Sequence, residues 1–574
     1  MKKLFTTFML FVALCFIAVR SYGQELTVLE TDDPLNTIIL RDTAADGSRL
    51  HTDYILKRDG YYILSGSISA NGFNLTIKGE EGAGERPVII LGTDANGDRL
   101  GWQLISCTNN ITLKNLKIIN ASDNGTRGWN SGILPSGLNA VITVDNCIID
   151  FNDGAFIYNE NSANGQSYEF TNNLFRYNGV VEWGGPWSGF GLIIKNENVQ
   201  RMIFENNTVV DAIAPFLVFF NGNLNNFWFN HNTIVNHAQF LFRSEFWINA
   251  IVMNNLFVNA HFVGESDQLR VGQDWDTLAY GVITVDKTDT IPWEGFPAEN
   301  DRVFMLAYNN NFVSPEIKSW WETAAVDFDT VDYQVADVSV ANGFFNSRAL
   351  SMMHDDVNYP KFLWDDSLSI LKLDPSIQGY NSDFPEMIKF ARTLLGQKDL
   401  GALNWAKHPD GDPKIPVADD FFSFEYSNEV LQKSAYRGYP VGDLNWFPSA
   451  KAQWDADADK ETYESILEKA NNGTWLFENQ TTTAIPSNSV SITKLYPNPV
   501  KSEIQLSFTS TQAGLVTVKI YDLFGRIVAT PVDEMLAAGE HQTIIDVSGL
   551  SDGTYVFQLR TANGFLTRKI TVCR

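Results

Sequence analysis

The chain has little cysteine, a shortage of basic charge and, past its first two dozen residues, no long apolar run. Four cysteines occur in 574 residues, and Cys15 lies in the apolar N-terminal stretch. The other three, Cys107, Cys147 and Cys573, are too few for a disulfide framework in a protein of this size, and Cys107 and Cys147 read as small core residues. Lys and Arg number 42 against 68 Asp and Glu, a formal net charge of −26. That surface repels phosphate and so disfavours nucleic acid and anionic membranes as partners. It also disfavours an acidic polysaccharide unless calcium bridges the two. No later segment holds the ~18 uninterrupted apolar residues of a membrane span. Disorder is disfavoured as well, because 44% apolar and 13% aromatic residues are ample for a large core.

Met1-Lys-Lys3, the apolar run Leu4 to Val19 and the small residues of Ser21-Tyr-Gly23 have the form of a secretory signal peptide at 1–23, cut before Gln24. Beyond it a phrase recurs: Asp145-Asn-Cys-Ile-Ile-Asp150, Asn172-Asn-Leu-Phe-Arg176, Asn206-Asn-Thr-Val-Val-Asp211, His231-Asn-Thr-Ile-Val-Asn236 and Asn254-Asn-Leu-Phe-Val-Asn259. Aligned on Asn146, Asn173, Asn207, Asn232 and Asn255, the spacings fall in the range of repeat arrays. There are 23 asparagines between residues 140 and 260. Asparagine tolerates left-handed backbone and forms amide ladders between stacked copies, so an asparagine-rich corner followed by a β-branched or aromatic strand predicts a right-handed parallel β-helix. Leucine-rich repeats and propeller blades need frames that are absent.

The organisation that follows is a cap with first strands at 24–100, rungs at 101–313 interrupted by an insertion at 264–303, and an irregular extension of the coil at 314–478. A linker at 479–489 and an alternating-strand module at 490–574, a small β-sandwich, close the chain. The fold class is therefore all-β, a solenoid followed by a sandwich. Helices are expected at Pro385 to Leu395 and Glu461 to Ala470. The duplicated turns Leu400-Gly-Ala-Leu-Asn-Trp405 and Val441-Gly-Asp-Leu-Asn-Trp446 are expected to close strands and bury their tryptophans.

Tyr496-Pro-Asn-Pro499, Tyr521-Asp-Leu-Phe-Gly-Arg526, Gly553-Thr-Tyr555 and Lys569-Ile-Thr-Val572 closely resemble the C-terminal sorting domain of type IX secretion cargo in Bacteroidota. The resemblance implies engagement of the type IX secretion machinery through 490–574, passage across the outer membrane, and release or attachment at the cell surface. The rungs from about Leu50 to Val313 resemble the pectin-lyase-like superfamily, which includes polysaccharide lyases, hydrolases and noncatalytic surface proteins. Trp-Ile-Asp-His of the pectate lyases is missing, and none of the seven histidines sits in the Gly-His-Gly of polygalacturonases.

Chemistry is sought first in the column four residues past the aligned asparagines, which holds Asp150, Tyr177, Asp211, Asn236 and Asn259. At ~4.8 Å per rung, Asp150 and Asp211 stand about 10 Å apart, near the upper end of the carboxylate spacing in inverting glycosidases. Corner duty is the blander reading, since Asn fills the column twice. A second group is Arg243 and Glu245 with His231 and His237, beside Arg176 and Glu182-Trp183. There an arginine would neutralise a sugar carboxylate while His or Arg removes the α-proton; a structural ion pair is the alternative. Arg243, Glu245, Arg176 and Asp211 are thus the catalytic candidates. Trp183, Trp187, Trp247, His231 and His237 are the candidate substrate contacts, and Trp228 is a further stacking surface. No metal ligands are assigned. Asp455-Ala-Asp-Ala-Asp459 has Lys460 and Ile466 where a calcium loop needs Gly and Glu, and reads as an acidic helix start. Asp410-Gly-Asp412 and the loop at 266–276 leave calcium open as a cofactor. The expected function is interaction with an extracellular polysaccharide, with or without its depolymerisation, the alternative being a noncatalytic adhesin or structural protein.

Overall fold

The structure is a computed structural model that describes residues 24–125, 130–160, 164–179, 188–195, 197–220, 222–243, 247–264, 281–285, 287, 297–327, 344–364, 369–394, 405, 412, 414–472, 491–510, 514–521, 527–561 and 564–574. The signal peptide at 1–23, the linker at 479–489 and most of the insertion at 264–303 lie outside the described residues. Two compact units divide the chain: Met1–Asn226 with Ile234–Ser244 and Gly379–Phe424, and Phe227–Thr233 with Glu245–Gln378 and Glu425–Arg574.

The first unit is a parallel β-helix. Each turn lays one strand in each of three parallel sheets: Val141–Asp145, Ile148–Asp150 and Ala155–Asn159 in one rung, Ser167–Thr171, Leu174–Arg176 and Phe190–Lys195 in the next. Residues 24–100 already coil this way, giving His51–Leu56 to the first sheet, Ile68–Ala70 to the second and Tyr61–Leu64 to the third. They also contain the helix Leu35–Arg41, which no sequence period announced.

The interior is filled by aromatic rings from all three sheets. Phe170 and Phe204 lie 5.8 Å apart, Phe175 and Phe216 5.2 Å, and Phe204 and Phe216 5.1 Å. Each fully buried ring stabilises the coil by roughly 1.5–3 kcal/mol. Glycine makes room for them: a Cβ on Gly132 would come within 2.7 Å of the Phe156 ring, and one on Gly191 within 2.6 Å of the Phe216 ring.

In the rungs that begin at Val141, Ser167 and Arg201, two corners take left-handed backbone at residues other than glycine. The first corner uses Asn146, Asn172 and Asn206, at φ 52°, 60° and 54°. The second uses Phe151, Tyr177 and Asp211, at φ 55°, 57° and 54°. The residue after the first corner turns inward and carries a ladder of amides. Asn173 Oδ1 accepts from Cys147 N at 2.9 Å, and Asn207 Oδ1 from Asn173 N at 3.0 Å. Their Nδ2 groups donate to Val144 O and Phe170 O at 2.8 and 2.9 Å.

This register corrects the sequence alignment by one residue at its first copy. Asp145 pairs with Thr171 and Ile148 with Leu174, so Asn146 matches Asn172 and Cys147 takes the inward position of Asn173. Asp150 consequently pairs with Arg176, whereas Asp211 falls in the following column with Tyr177. The two carboxylates do not share a column.

The second unit repeats the rung chemistry. Trp247–Met253, Val303–Ala307 and Phe362–Leu363 pair in parallel, as do Leu256–Ala260, Asn309–Phe312 and Ile370–Leu371, so a rung forms beyond Val313. The inward amides recur, with Asn232 N on Asn255 Oδ1 at 2.8 Å and Asn255 N on Asn309 Oδ1 at 3.0 Å. The helix Pro448–Ala456 carries Asp455 in its last turn, paired with Lys451 at 2.7 Å, and the next helix begins at Tyr463 behind a Thr462 cap. The acidic run therefore follows one helix and does not start the other. Leu444–Trp446 is a 3₁₀ turn that leaves Trp446 half-buried, so this copy of the duplicated turn closes no strand; Trp405, from the other copy, is buried.

The C-terminal part of this unit is an antiparallel sandwich. Ser491–Tyr496, Glu503–Ser510 and Gly539–Asp546 form one sheet, and Ile527–Leu536, Gly514–Tyr521, Gly553–Thr561 and Gly564–Val572 the other. Ile504, Leu506 and Phe508 share one core with Val518, Ile520 and Phe557. Ser491–Tyr496 and Ile527–Leu536 escaped the alternation pattern because the first has a register shift between Ile492 and Lys494 and the second is an edge strand interrupted by Pro531.

Replacing Asn207 by Ala leaves the buried Asn173 N–H and Phe170 C=O without their partner, each worth about 1–3 kcal/mol. Thermal unfolding of Asn207→Ala is expected to show a loss of a few kcal/mol; an unchanged transition would mean that the amide ladder does not hold the corners.

Candidate functional site

The residues singled out by sequence fall into distinct environments. Arg176 is buried and forks onto Asp150, with Nε to Oδ1 at 2.8 Å and Nη2 to Oδ2 at 2.7 Å. Burial works against its charge, and the Asp150 carboxylate more than restores it, so the guanidinium stays protonated. Its Nη1 donates to Ala418 O at 3.0 Å. The same segment receives Lys117, whose Nζ donates to Val417 O at 2.7 Å and pairs with Asp419 at 2.8 Å, and Arg86, paired with Asp419 at 2.7 Å. Residues 414–424 thus strap the outer face of the third sheet. Burial pushes the Asp419 carboxyl up, but Lys117 and Arg86 bring it down to about 2.

Asp211 sits at a left-handed corner beside Tyr380, whose ring meets Phe422 and Phe424 of the strap. Tyr380 OH donates to its Oδ1 at 2.5 Å and Asn236 Nδ2 at 3.2 Å. Burial raises its carboxyl to about 7 against the opposing pull of these two bonds. His237 is buried with Nδ1 2.8 Å from Gln239 O, and burial lowers it to about 4. In the second unit His231 is buried with Nδ1 3.0 Å from Gly442 O and its ring against Trp454, and burial lowers it to about 3.

Trp247 is 1% exposed between Phe227 and Phe304, and Trp228 4% exposed beside Tyr463, so neither presents a ring face to solvent. Arg243 ends the strand Phe242–Arg243, paired with Val218. Glu245, Trp183 and Trp187 lie outside the described residues. Among the described residues no group of three or more His, Cys, Asp or Glu is arranged to hold a metal ion.

An arrangement the sequence did not reveal lies on the second sheet of the first unit. Trp102 is 43% exposed and meets Tyr158 edge to face at 5.7 Å. Lys195 Nζ stands 5.3 Å from the Tyr158 ring, 3.2 Å from its hydroxyl and 2.6 Å from Glu160. Tyr158 also donates to Glu160. A part-exposed indole, braced by a tyrosine and flanked by hydrogen-bonding groups, is the chemistry that stacks on a sugar ring.

Behind Trp102 the corner between the third and second sheets holds a network of amides. Arg99 Nη2 donates to Asn120 Oδ1 at 3.2 Å, and Asn120 Nδ2 reaches Asn152 Oδ1 at 3.0 Å. Asn130 Nδ2 donates to Asn120 O at 3.4 Å, and Ser131 N to Trp102 O at 2.7 Å. Gly179 N donates to Asn152 O at 3.1 Å, which continues the corner into the next rung, that of Asn178. Lone asparagines at corners were legible as structural; their convergence needed the register.

Asp211 yields a pH signature. Its folded value of about 7 lies above the ordinary 3.8, so its contribution to stability is full below about pH 4 and is lost as pH rises through about 7. Asn tolerates the same corner conformation. The difference in melting temperature between wild type and Asp211→Asn is therefore expected to shift against wild type from pH 4 to 7; a constant difference would exclude a protonated Asp211.

Residues 494–573 match the family described as the secretion system C-terminal sorting domain. No curated protein matches the chain. No helix among the described residues is long and apolar enough to cross a membrane. The chain thus pairs a parallel β-helix with a type IX sorting domain, which directs it to the cell surface or the extracellular space.

Proposed function

We propose that this surface or secreted protein binds an extracellular polysaccharide on the second-sheet side of its β-helix, as a noncatalytic glycan-binding protein. The observation that carries this reading is the exposed Trp102, braced by Tyr158 and flanked by Lys195 and Glu160. Its placement supports sugar stacking, because an exported chain that leaves an indole half-open beside hydrogen-bonding groups offers an aromatic face to a hydroxylated ligand. Arg243, Trp183 and Trp187 remain proposed contacts, the first at the end of a strand of the same second sheet.

Depolymerisation is the weaker reading. Two of its four catalytic candidates have other work: Arg176 is committed to Asp150 and the strap, and Asp211 to Tyr380 and Asn236. Cleavage would fall to Arg243 and Glu245.

The full chain, screened against a polysaccharide panel for binding and for new reducing or unsaturated ends, is expected to bind without releasing ends. Trp102→Ala should weaken binding at least tenfold with an unchanged melting temperature. New chain ends would overturn the noncatalytic reading, and undiminished binding by Trp102→Ala would remove the platform.

A further inference from the structure

The Trp102 platform ends in two charged side chains that the fold sets side by side. Glu160 follows the strand Ala155–Asn159, and Lys195 closes the strand Phe190–Lys195. Asn159 pairs with Ile194 across the second sheet, so the two charges stand on neighbouring rungs. Lys195 Nζ donates to Glu160 Oε1 at 2.6 Å and to the Tyr158 hydroxyl at 3.2 Å, and that hydroxyl donates to Glu160 Oε2. The single hydroxyl proton of Tyr158 is thereby spent, which leaves the polar contacts with a ligand to the charged pair.

Both members of the pair are open to solvent, the Glu160 side chain 44% exposed and that of Lys195 29%. Each Glu160 oxygen takes one bond and has a lone pair left for another, and among the described residues the third Lys195 proton has no partner. The bonds from Lys195 and Tyr158 hold the Glu160 carboxyl below its ordinary range, so it is a carboxylate at neutral pH. The indole lies 5.7 Å from the Tyr158 ring, centre to centre, and Lys195 Nζ 5.3 Å from the same ring centre. Indole and charged pair thus bracket one tyrosine.

We infer that Glu160 and Lys195 read a vicinal diol on a neutral sugar held at Trp102, and so decide which glycans the platform accepts. The inference rests on the glycan-binding reading above and names its substrate class: pyranosides with free neighbouring hydroxyls and without carboxylate or sulfate. A carboxylate only accepts and an ammonium only donates. Of two hydroxyls on adjacent ring carbons, one donates to Glu160 and its neighbour accepts from Lys195, and both bonds are charge-assisted. The separation of two such hydroxyls is comparable with the contact between Oε1 and Nζ, so one diol can reach both groups. A lone hydroxyl answers one of them, and a methyl ether gives Glu160 nothing. An anionic sugar meets the Glu160 charge and a lysine already compensated by it, on a chain of net charge −26. Exposed pairs of this kind add little to stability, so either side chain can be replaced without loss of the fold.

The test is calorimetric titration of the full chain with neutral 1,4-linked tetrasaccharides of gluco, manno, galacto and xylo configuration, with their fully O-methylated counterparts, and with a tetra-uronate. Methylation keeps the rings and removes every hydroxyl proton. Wild type is expected to bind one neutral tetrasaccharide about tenfold or more tightly than its methylated counterpart and than the uronate. Glu160→Ala and Lys195→Met are each expected to weaken that binding about tenfold at an unchanged melting temperature. In Glu160→Ala the gap between free and methylated ligand should shrink to about threefold or less, a change that a merely structural ion pair would not produce. Equal binding of the methylated ligand by wild type, or a gap that survives in Glu160→Ala, overturns the inference; loss of binding in Trp102→Ala then leaves the platform standing. Preference for the uronate also overturns it. Absence of any saccharide binding removes both readings.

Discussion

A coil of this kind depends on reversing the backbone at tight corners without orphaning the N–H and C=O groups that the reversal strips from the sheets. The inward amide after the first corner solves that problem. Its oxygen takes the N–H of one rung and its nitrogen reaches the carbonyl of that same rung's preceding strand, as Asn173 does with Cys147 N and Val144 O. One side chain thereby replaces two ladder bonds in a space without water, where each unmade bond is costly. With the corners fixed, the strands stack in register, and the aromatic rings of Phe170, Phe175, Phe204 and Phe216 meet at 5–6 Å because the register puts them there.

The same demand made the fold legible in the amino-acid sequence. A position that must adopt left-handed backbone and a following one that must both donate and accept select asparagine twice in succession, and Asn172-Asn173, Asn206-Asn207 and Asn254-Asn255 announce themselves. The signal failed where a rung met the demand differently. Cys147 occupies an inward position, where its thiol donates only weakly to Asp145 O and its backbone N–H takes the Asn173 oxygen, so counting from Asn146 slips by one residue. That slip turned Asp150 from the partner of Arg176 into an apparent companion of Asp211. The second corner was half legible: Asp211, Asn236 and Asn259 are turn formers, whereas Phe151 and Tyr177 hold the same left-handed backbone with their rings stacked at 5.1 Å. Trp102 was invisible for another reason: it belongs to no repeat, and exposure follows from what packs nearby rather than from residue type.

Arg176 and Asp150 show how far an ion pair can mislead. Adjacent charges on a β-helix face have the look of catalytic chemistry, yet both side chains are essentially inaccessible, and the guanidinium also donates to Ala418 O and Val417 O. A buried pair of this type is not strong evidence of stability, since the desolvation of both ions offsets most of their attraction. Its effect here is on register. With Lys117 and Arg86 converging on Asp419, it gives residues 414–424 one way to lie on the coil and a high penalty for sliding, since any slip leaves a buried cation unpaired.

Export and charge together limit what such a surface can hold. The sorting domain at 494–573 sends the chain to the cell surface or the extracellular space. The last 85 residues are nearly balanced, with 8 basic and 7 acidic side chains, so the excess acid belongs to the passenger. An acidic passenger attracts no polyanion by its long-range field; whatever it retains must be held by short-range stacking and hydrogen bonds. Under the glycan-binding proposal those forces come from Trp102, Tyr158, Lys195 and Glu160. Under the same proposal, a glycan with hydroxyls in place of carboxylates avoids the repulsion.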